Sequence, residues 1–257
     1  MTRFATYAST MIAAAFLAVP AAHAAQSTAS AAFSNVQFSV VDLTPNDGHA
    51  AGYAFSPRTS EFEARITNGW YSDGMSSAPY FPVPVNVSAT YRDDFASASS
   101  NGQLGSLAAS VDTSSPYRGE YDAAWASGQQ FVHVLIKAHT AFAVSGEVDA
   151  AVWASAYDDP RLAANASVFA GLGRLSDGQS LSRELSLETG LSSSYSDTFS
   201  FYLQNNNDYD IETTMYFTVQ ASTKGSVSPI PEPATYLMIG AGLLLVAGSR
   251  HIHRNKR

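Results

Sequence analysis

The sequence predicts an all-β body, a β-sandwich or jelly roll, set between two ends of different character. Three observations predict it. Apolar and polar residues alternate at period two in segment after segment, as in strands with one buried face. Polar turn residues separate these segments, and strands do not alternate with helices, which favours antiparallel sheets over a βαβ arrangement. Cysteine is absent. The body, residues 25–227, must therefore be held by its core alone, and a thiol nucleophile is excluded.

The first element is not part of the body. Residues 1–24 read as a signal peptide. Arg3 gives the positive start, Met11–Val19 is an apolar run too short to span a bilayer comfortably, and Pro20 breaks it. Ala22 and Ala24 flank His23 as the small residues that signal peptidase reads, so the cut is expected after Ala24. An uncleaved anchor helix is the alternative.

In the body, Val36, Phe38 and Val40 alternate with Gln37 and Ser39. Asp42–Gly48 is a loop between two strands. Phe62, Ala64 and Ile66 alternate with Glu61, Glu63 and Arg65. Asn68–Phe81 reads as a loop with a turn at Asp73-Gly74. Val83–Tyr91 alternates again, and Pro82 and Pro84 remove donors on one side, which predicts a sheet edge. Asn101–Gln130 is rich in Ser, Gly and Ala. Ser115-Pro116 opens a short helix there, with Tyr117, Tyr121 and Trp125 on one face, or the stretch is a long loop. Phe131–Ile136 and Val148–Ala154 are strands. Asp177-Gly178 closes a hairpin, and Leu185 and Leu187 lie on a strand. Asn205–Asp208 is expected to join Phe199–Gln204 to Ile211–Ala221 as a long hairpin.

Charge limits the partners. The chain has 14 basic and 22 acidic residues. Four of the basic ones, Arg250, Arg254, Lys256 and Arg257, sit in the C-terminal tail, whereas every acidic residue lies between Asp42 and Glu232. The exported part is thus acidic, and no nucleic-acid partner is expected, since phosphate binding needs a basic face.

Few residues suggest chemistry. Asp42, Asn46 and Asp47 place oxygens in one loop, but their spacing is not that of a calcium loop, and Asx-capped turns account for them. Asp93-Asp94 and Asp158-Asp159 are paired carboxylates whose neighbours point to opposite faces of a strand, so they read as solvated strand ends. His49, His133 and His139 lack ligand spacing. No phosphate loop, Gly-x-Ser-x-Gly or His-Glu-x-x-His occurs. No cofactor or metal is expected. Trp70, Tyr71 and Tyr80 lie in or beside the Asn68–Phe81 loop, where rings either plug the end of a sandwich or stack on sugars. A triad or carboxylate pair assembled from distant strands would instead make an extracellular hydrolase.

The back end is the most specific. Pro231-Glu232-Pro233 is extended and rigid. Residues 234–248 carry no charge, and as a helix they would span roughly 23 Å, short for a hydrocarbon core of roughly 30 Å. The basic tail stays cytoplasmic by the positive-inside rule, which leaves the prolines outside. Residues 228–257 resemble the PEP-CTERM sorting cassette: Pro-Glu-Pro-Ala-Thr-Tyr, an apolar glycine-containing helix, then an Arg-rich end. The tail departs only in being diluted by His251, Ile252, His253 and Asn255. The resemblance implies a Gram-negative exported protein cut near Pro231-Glu232-Pro233 by exosortase, a membrane transpeptidase. It implies a transient inner-membrane anchor, then release to the surface or extracellular matrix beside exopolysaccharide and biofilm. On this reading the protein is non-enzymatic, with a carbohydrate-binding module as the second expectation.

Overall fold

A computed structural model describes residues 26–68, 71–78, 83–113, 123–155, 163–173, 178–188 and 192–224. The expected signal peptide, sorting cassette and apolar helix lie outside them. Residues 25–227 form one compact unit, and its described parts are strands and turns without a helix.

The twelve strands are β1 Ser27–Asp42, β2 Tyr53–Asn68, β3 Tyr71–Ser77, β4 Val85–Tyr91, β5 Asp94–Ser100, β6 Leu107–Thr113, β7 Ala123–Ile136, β8 Thr140–Ala154, β9 Ala163–Leu172, β10 Gln179–Glu188, β11 Ser192–Asn205 and β12 Ile211–Lys224. They build two six-stranded sheets. Sheet A runs β11-β8-β1-β6-β5-β4, and sheet B runs β10-β9-β12-β7-β2-β3. All pairings are antiparallel. Central β1 and β6 of sheet A pack on β12 and β7 of sheet B, and the inner faces enclose one core.

Burial follows the alternation. In β12, Met215, Phe217, Val219 and Ala221 are buried while their neighbours face outward. In β7, Val132, Val134 and Ile136 point in, so Phe131, His133 and Leu135 fall on the outer face. Near the start of β1 the core is alanine, with Ala29, Ala31, Ala109, Ala124, Ala150 and Ala164. Farther along it becomes aromatic. Phe33 meets Phe199 and Phe217 edge-on at 5.6 and 5.5 Å, and Phe38 meets Phe55 at 5.1 Å.

Two bulges shift the phase of long strands. In β1 the register slips between Ser34 and Gln37, and Asn35 takes φ 53°. One extra residue is absorbed there, so Phe33 and Val36 both face the core. In β2 the register slips between Phe55 and Arg58, beside Pro57, whose missing N–H suits a break in the ladder.

Buried amides tie the loops down. Gln130 of β7 crosses the sandwich to the β5–β6 loop. Its Oε1 accepts from the Gly105 N–H at 2.7 Å, and its Nε2 donates to Ser100 Oγ and the Gln103 carbonyl. Asn205 Nδ2 donates to the carbonyls of Ile136, Lys137 and Tyr209 at 2.8–3.1 Å.

Four expectations need correction. The segment after Asn205 is not a hairpin loop, because β11 lies in sheet A and β12 in sheet B. Buried Asn205 holds the β7–β8 turn as well as its own, which carries the chain across the core. Asp73-Gly74 is not a turn: both residues lie within β3, with Gly74 opposite Arg65. Trp125 is on no helix but in β7 opposite Arg65, while Tyr117 and Tyr121 lie outside the described residues. The Asn101–Gln130 stretch contains β6 and the start of β7. By contrast, β4 is indeed a sheet edge and begins just after Pro84, and β9 and β10 pair as expected of a hairpin, with Asp177 outside the described residues.

Candidate functional site

Most sequence-predicted site residues lie outside the described residues. These are Ala22 and Ala24, Pro231, Glu232 and Pro233, the tail residues Arg250, Arg254, Lys256 and Arg257, and Trp70 and Tyr80. Tyr71 opens β3, paired with Asn68 of β2, so the two strands are separated only by residues 69–70. Asp158 and Asp159 also lie outside.

The described histidines and loop carboxylates are engaged locally. Asp42 Oδ1 accepts from the Thr44 N–H at 2.9 Å, and Asp47 Oδ1 accepts from the His49 N–H at 2.7 Å. The Thr44 hydroxyl also donates to Asp47. These bonds, the Thr44 hydroxyl's first, hold the Asp47 carboxyl below its ordinary pKa. His139 Nε2 lies 2.9 Å from Asp208, and His133 Nδ1 lies 3.4 Å from Glu212 on the outer face of sheet B. Asp94 is a correction to the solvated-end reading: it is 4% exposed at the start of β5. Among the described residues, no group of three or more His, Asp or Glu side chains is arranged to hold a metal ion.

The outer face of sheet A has relief. A shallow concavity of about 410 Å³ lies over the β1 bulge, lined by Asn35, Gln37, Ser145, Glu147, Thr198 and Ser200. Asn35 Nδ2 donates to Glu147 Oε2 there at 2.7 Å. A second, of about 270 Å³, crosses β11, β8, β1 and β6 over Ser194, Ala151, Ser30 and Ser110.

Rings on the two outer faces differ. On sheet B, Tyr216 lies across Gly171, its register partner. Phe169 stacks on Tyr216 at 4.9 Å, and Phe131 meets His133 edge-on at 5.2 Å. On sheet A, Trp153 of β8 and Phe95 of β5 are each 40% exposed. They stand in one cross-strand row, since Trp153 pairs with Thr28, Thr28 with Asp112, and Asp112 with Phe95. The sequence reading missed both. The signal was present: each is a large ring on the polar phase of its strand, beside Val152 and Ala154 or beside Ala96 and Ala98, which are buried.

An all-β sandwich followed by a proline-flanked apolar segment and a basic tail defines an exported β-protein with a C-terminal sorting signal. That signal is the PEP-CTERM protein-sorting motif, matched at residues 229–251. The motif implies recognition by exosortase and a secreted protein processed at the membrane. No curated protein and no solved structure matches the chain.

Proposed function

We propose that the chain is a non-enzymatic surface or extracellular-matrix protein. A signal peptidase removes residues 1–24. The apolar segment 234–248 holds the chain in the inner membrane until exosortase cuts near Pro231-Glu232-Pro233, and the body then associates with exopolysaccharide. The sorting motif at residues 229–251 carries this reading. It is supported by the local engagement of the described loop carboxylates and histidines, which serve turns and strand ends.

Intact mass of the protein recovered from outside cells, with and without exosortase, tests the sorting step. The expected product begins at Ala25 and lacks the tail only when exosortase is present. Exterior protein that retains His251–Arg257 in exosortase-positive cells would overturn it. For the matrix role, deletion of the gene should thin or weaken the matrix, and a normal matrix counts against it.

The second reading is a carbohydrate-binding module. Trp70, Tyr71 and Tyr80 were its sequence candidates, and the exposed rings of sheet A are the observation that favours it.

A further inference from the structure

We infer that the outer face of sheet A binds a neutral, hydroxyl-rich polysaccharide laid across the strands, with Trp153 and Phe95 as the stacking rings and Asp112 and Thr28 as hydrogen-bonding groups between them. This rests on reading the body as a glycan-associated protein, and it names the site.

A ring on an outer face often has a structural task. On sheet B, Tyr216 covers the bare backbone of Gly171, Phe169 stacks on Tyr216, and Phe131 packs on His133. Trp153 and Phe95 make no ring contact with the described residues and cover no described glycine, yet each keeps 40% of its surface in water. Two large rings left in water in one row offer flat apolar faces to a ligand.

Their surroundings set the chemistry. Thr28 and Asp112 separate the rings in strict register. Asp112 is fixed by Gln26, whose Nε2 donates to its carboxylate at 3.2 Å, which leaves acceptor capacity for a ligand. The rings stand three strand spacings apart, about 14 Å. One strand spacing is close to the length of a pyranose ring, so an extended sugar chain running across the sheet meets a ring, two polar positions and a second ring in turn. Sugars present flat C–H faces and equatorial hydroxyls, which is the pairing that aromatic rings and carboxylates satisfy. Beside this row the Ser30 and Ser110 concavity gives a polymer room.

Charge selects the class. On the outward phase of the six strands of sheet A the charged side chains are Asp112, Glu147 and Asp149, with no lysine or arginine. A uronate or sulfated polymer would be repelled from that face, whereas a neutral glycan donates hydroxyls to its carboxylates.

The test uses the full-length chain in detergent and three probes: the neutral glucan laminarin, the acidic polymer polygalacturonate and an amine-bearing chitosan oligomer. Binding is followed by affinity electrophoresis and tryptophan fluorescence. The expected result is retardation by the neutral glucan, weakened about tenfold by Trp153→Ala or Phe95→Ala, with partial rescue by Trp153→Phe. Tyr216→Ala on the other sheet should bind like the parent. Both tested rings are exposed, and circular dichroism checks that the variants fold. If the parent binds and both ring variants match it, the site is wrong while the glycan reading stands. Preference for polygalacturonate or chitosan overturns the neutral class. Binding to none of the three overturns the glycan reading itself.

Discussion

Three glycines each sit directly opposite an aromatic ring on the neighbouring strand: Gly128 faces Phe62, Gly146 faces Phe199 and Gly171 faces Tyr216. A ring laid over a glycine covers backbone that a side chain would otherwise shield, which offsets the entropic cost of glycine in a strand. The penalty for filling that space depends on whether the ring can leave. A Cβ at Gly146 would fall 2.9 Å from the Phe199 ring and 3.0 Å from Val36. Phe199 is wedged between Phe33, Phe201 and Phe217, so Gly146→Ala is expected to cost about 1–3 kcal/mol by overpacking. Gly171→Ala also meets its ring, but Tyr216 faces outward and can swing into water, so its cost should be the smaller of the two in urea denaturation. The release has its own signature. Burial holds the Tyr216 phenol above its ordinary pKa, and Gly171→Ala should lower it again in a spectrophotometric titration. In the parent the folded chain holds that proton more tightly than the unfolded chain. Its stability is therefore undiminished below about pH 10 and falls as pH rises through the folded value. An unchanged Tyr216 titration in Gly171→Ala would refute the covering role.

At the level of elements, the β1 bulge decides which way half a strand faces. Asn35 adopts φ 53°, a conformation that Asn and Gly tolerate and β-branched residues do not. Val36 then fits over the glycines of two neighbours, Gly105 and Gly146. Asn35→Gly should leave stability nearly unchanged, whereas Asn35→Val should lose about 1–2 kcal/mol, measured as a shift in the denaturation midpoint at constant slope. Equal stability of the two variants would show that the bulge is not under this constraint. The same bulge explains what the sequence reading recovered of β1. Val36, Phe38 and Val40 were legible because large residues alternate there. Ser27–Phe33, on the other side of the bulge, was not, since its inward residues are mostly alanine and its outward ones Ser, Thr and Ala. Alanine contrasts too weakly with serine for period two to stand out, and its strand propensity is low. The same weak contrast hides β5, β9 and the start of β7, where alanine prevails at the inward positions, whereas β6, with Leu107 and Val111 buried, lies in a Ser- and Gly-rich stretch that reads as loop. Sheet membership was not legible at all, because a turn such as Asn205–Asp208 has the same composition whether it reverses within a sheet or crosses to the next. Trp153 and Phe95 escape a search for rings in loops, because they lie on the polar phase of strands.

For the molecule as a whole, the place of β12 constrains where sorting may cut. β12 is the last described strand before the PEP-CTERM motif, yet it lies inside sheet B, paired with β9 on one side and β7 on the other. Its Met215, Phe217, Val219 and Ala221 are buried in the core. A strand with two partners and a buried face cannot be removed without opening both ladders and leaving a cavity between the sheets. Cleavage that releases a folded body must therefore fall after Lys224, and Pro231-Glu232-Pro233 satisfies that requirement. A chain ended after Ser228 should keep the thermal midpoint of the anchored protein, because it retains both β12 ladders, which run to Lys224. A chain ended after Phe217 loses Val219 and Ala221 together with their pairings, and should fail to give a cooperative transition by calorimetry and circular dichroism. Should the shorter chain melt cooperatively at the parent midpoint, the second half of β12 would be dispensable and the position of the sorting motif would owe nothing to it. If instead the Ser228 chain is itself unfolded, residues beyond β12 contribute to the core, and release by exosortase would yield a denatured product. The double pairing of β12 predicts neither outcome, and the two truncations together locate the boundary between body and signal independently of any protease.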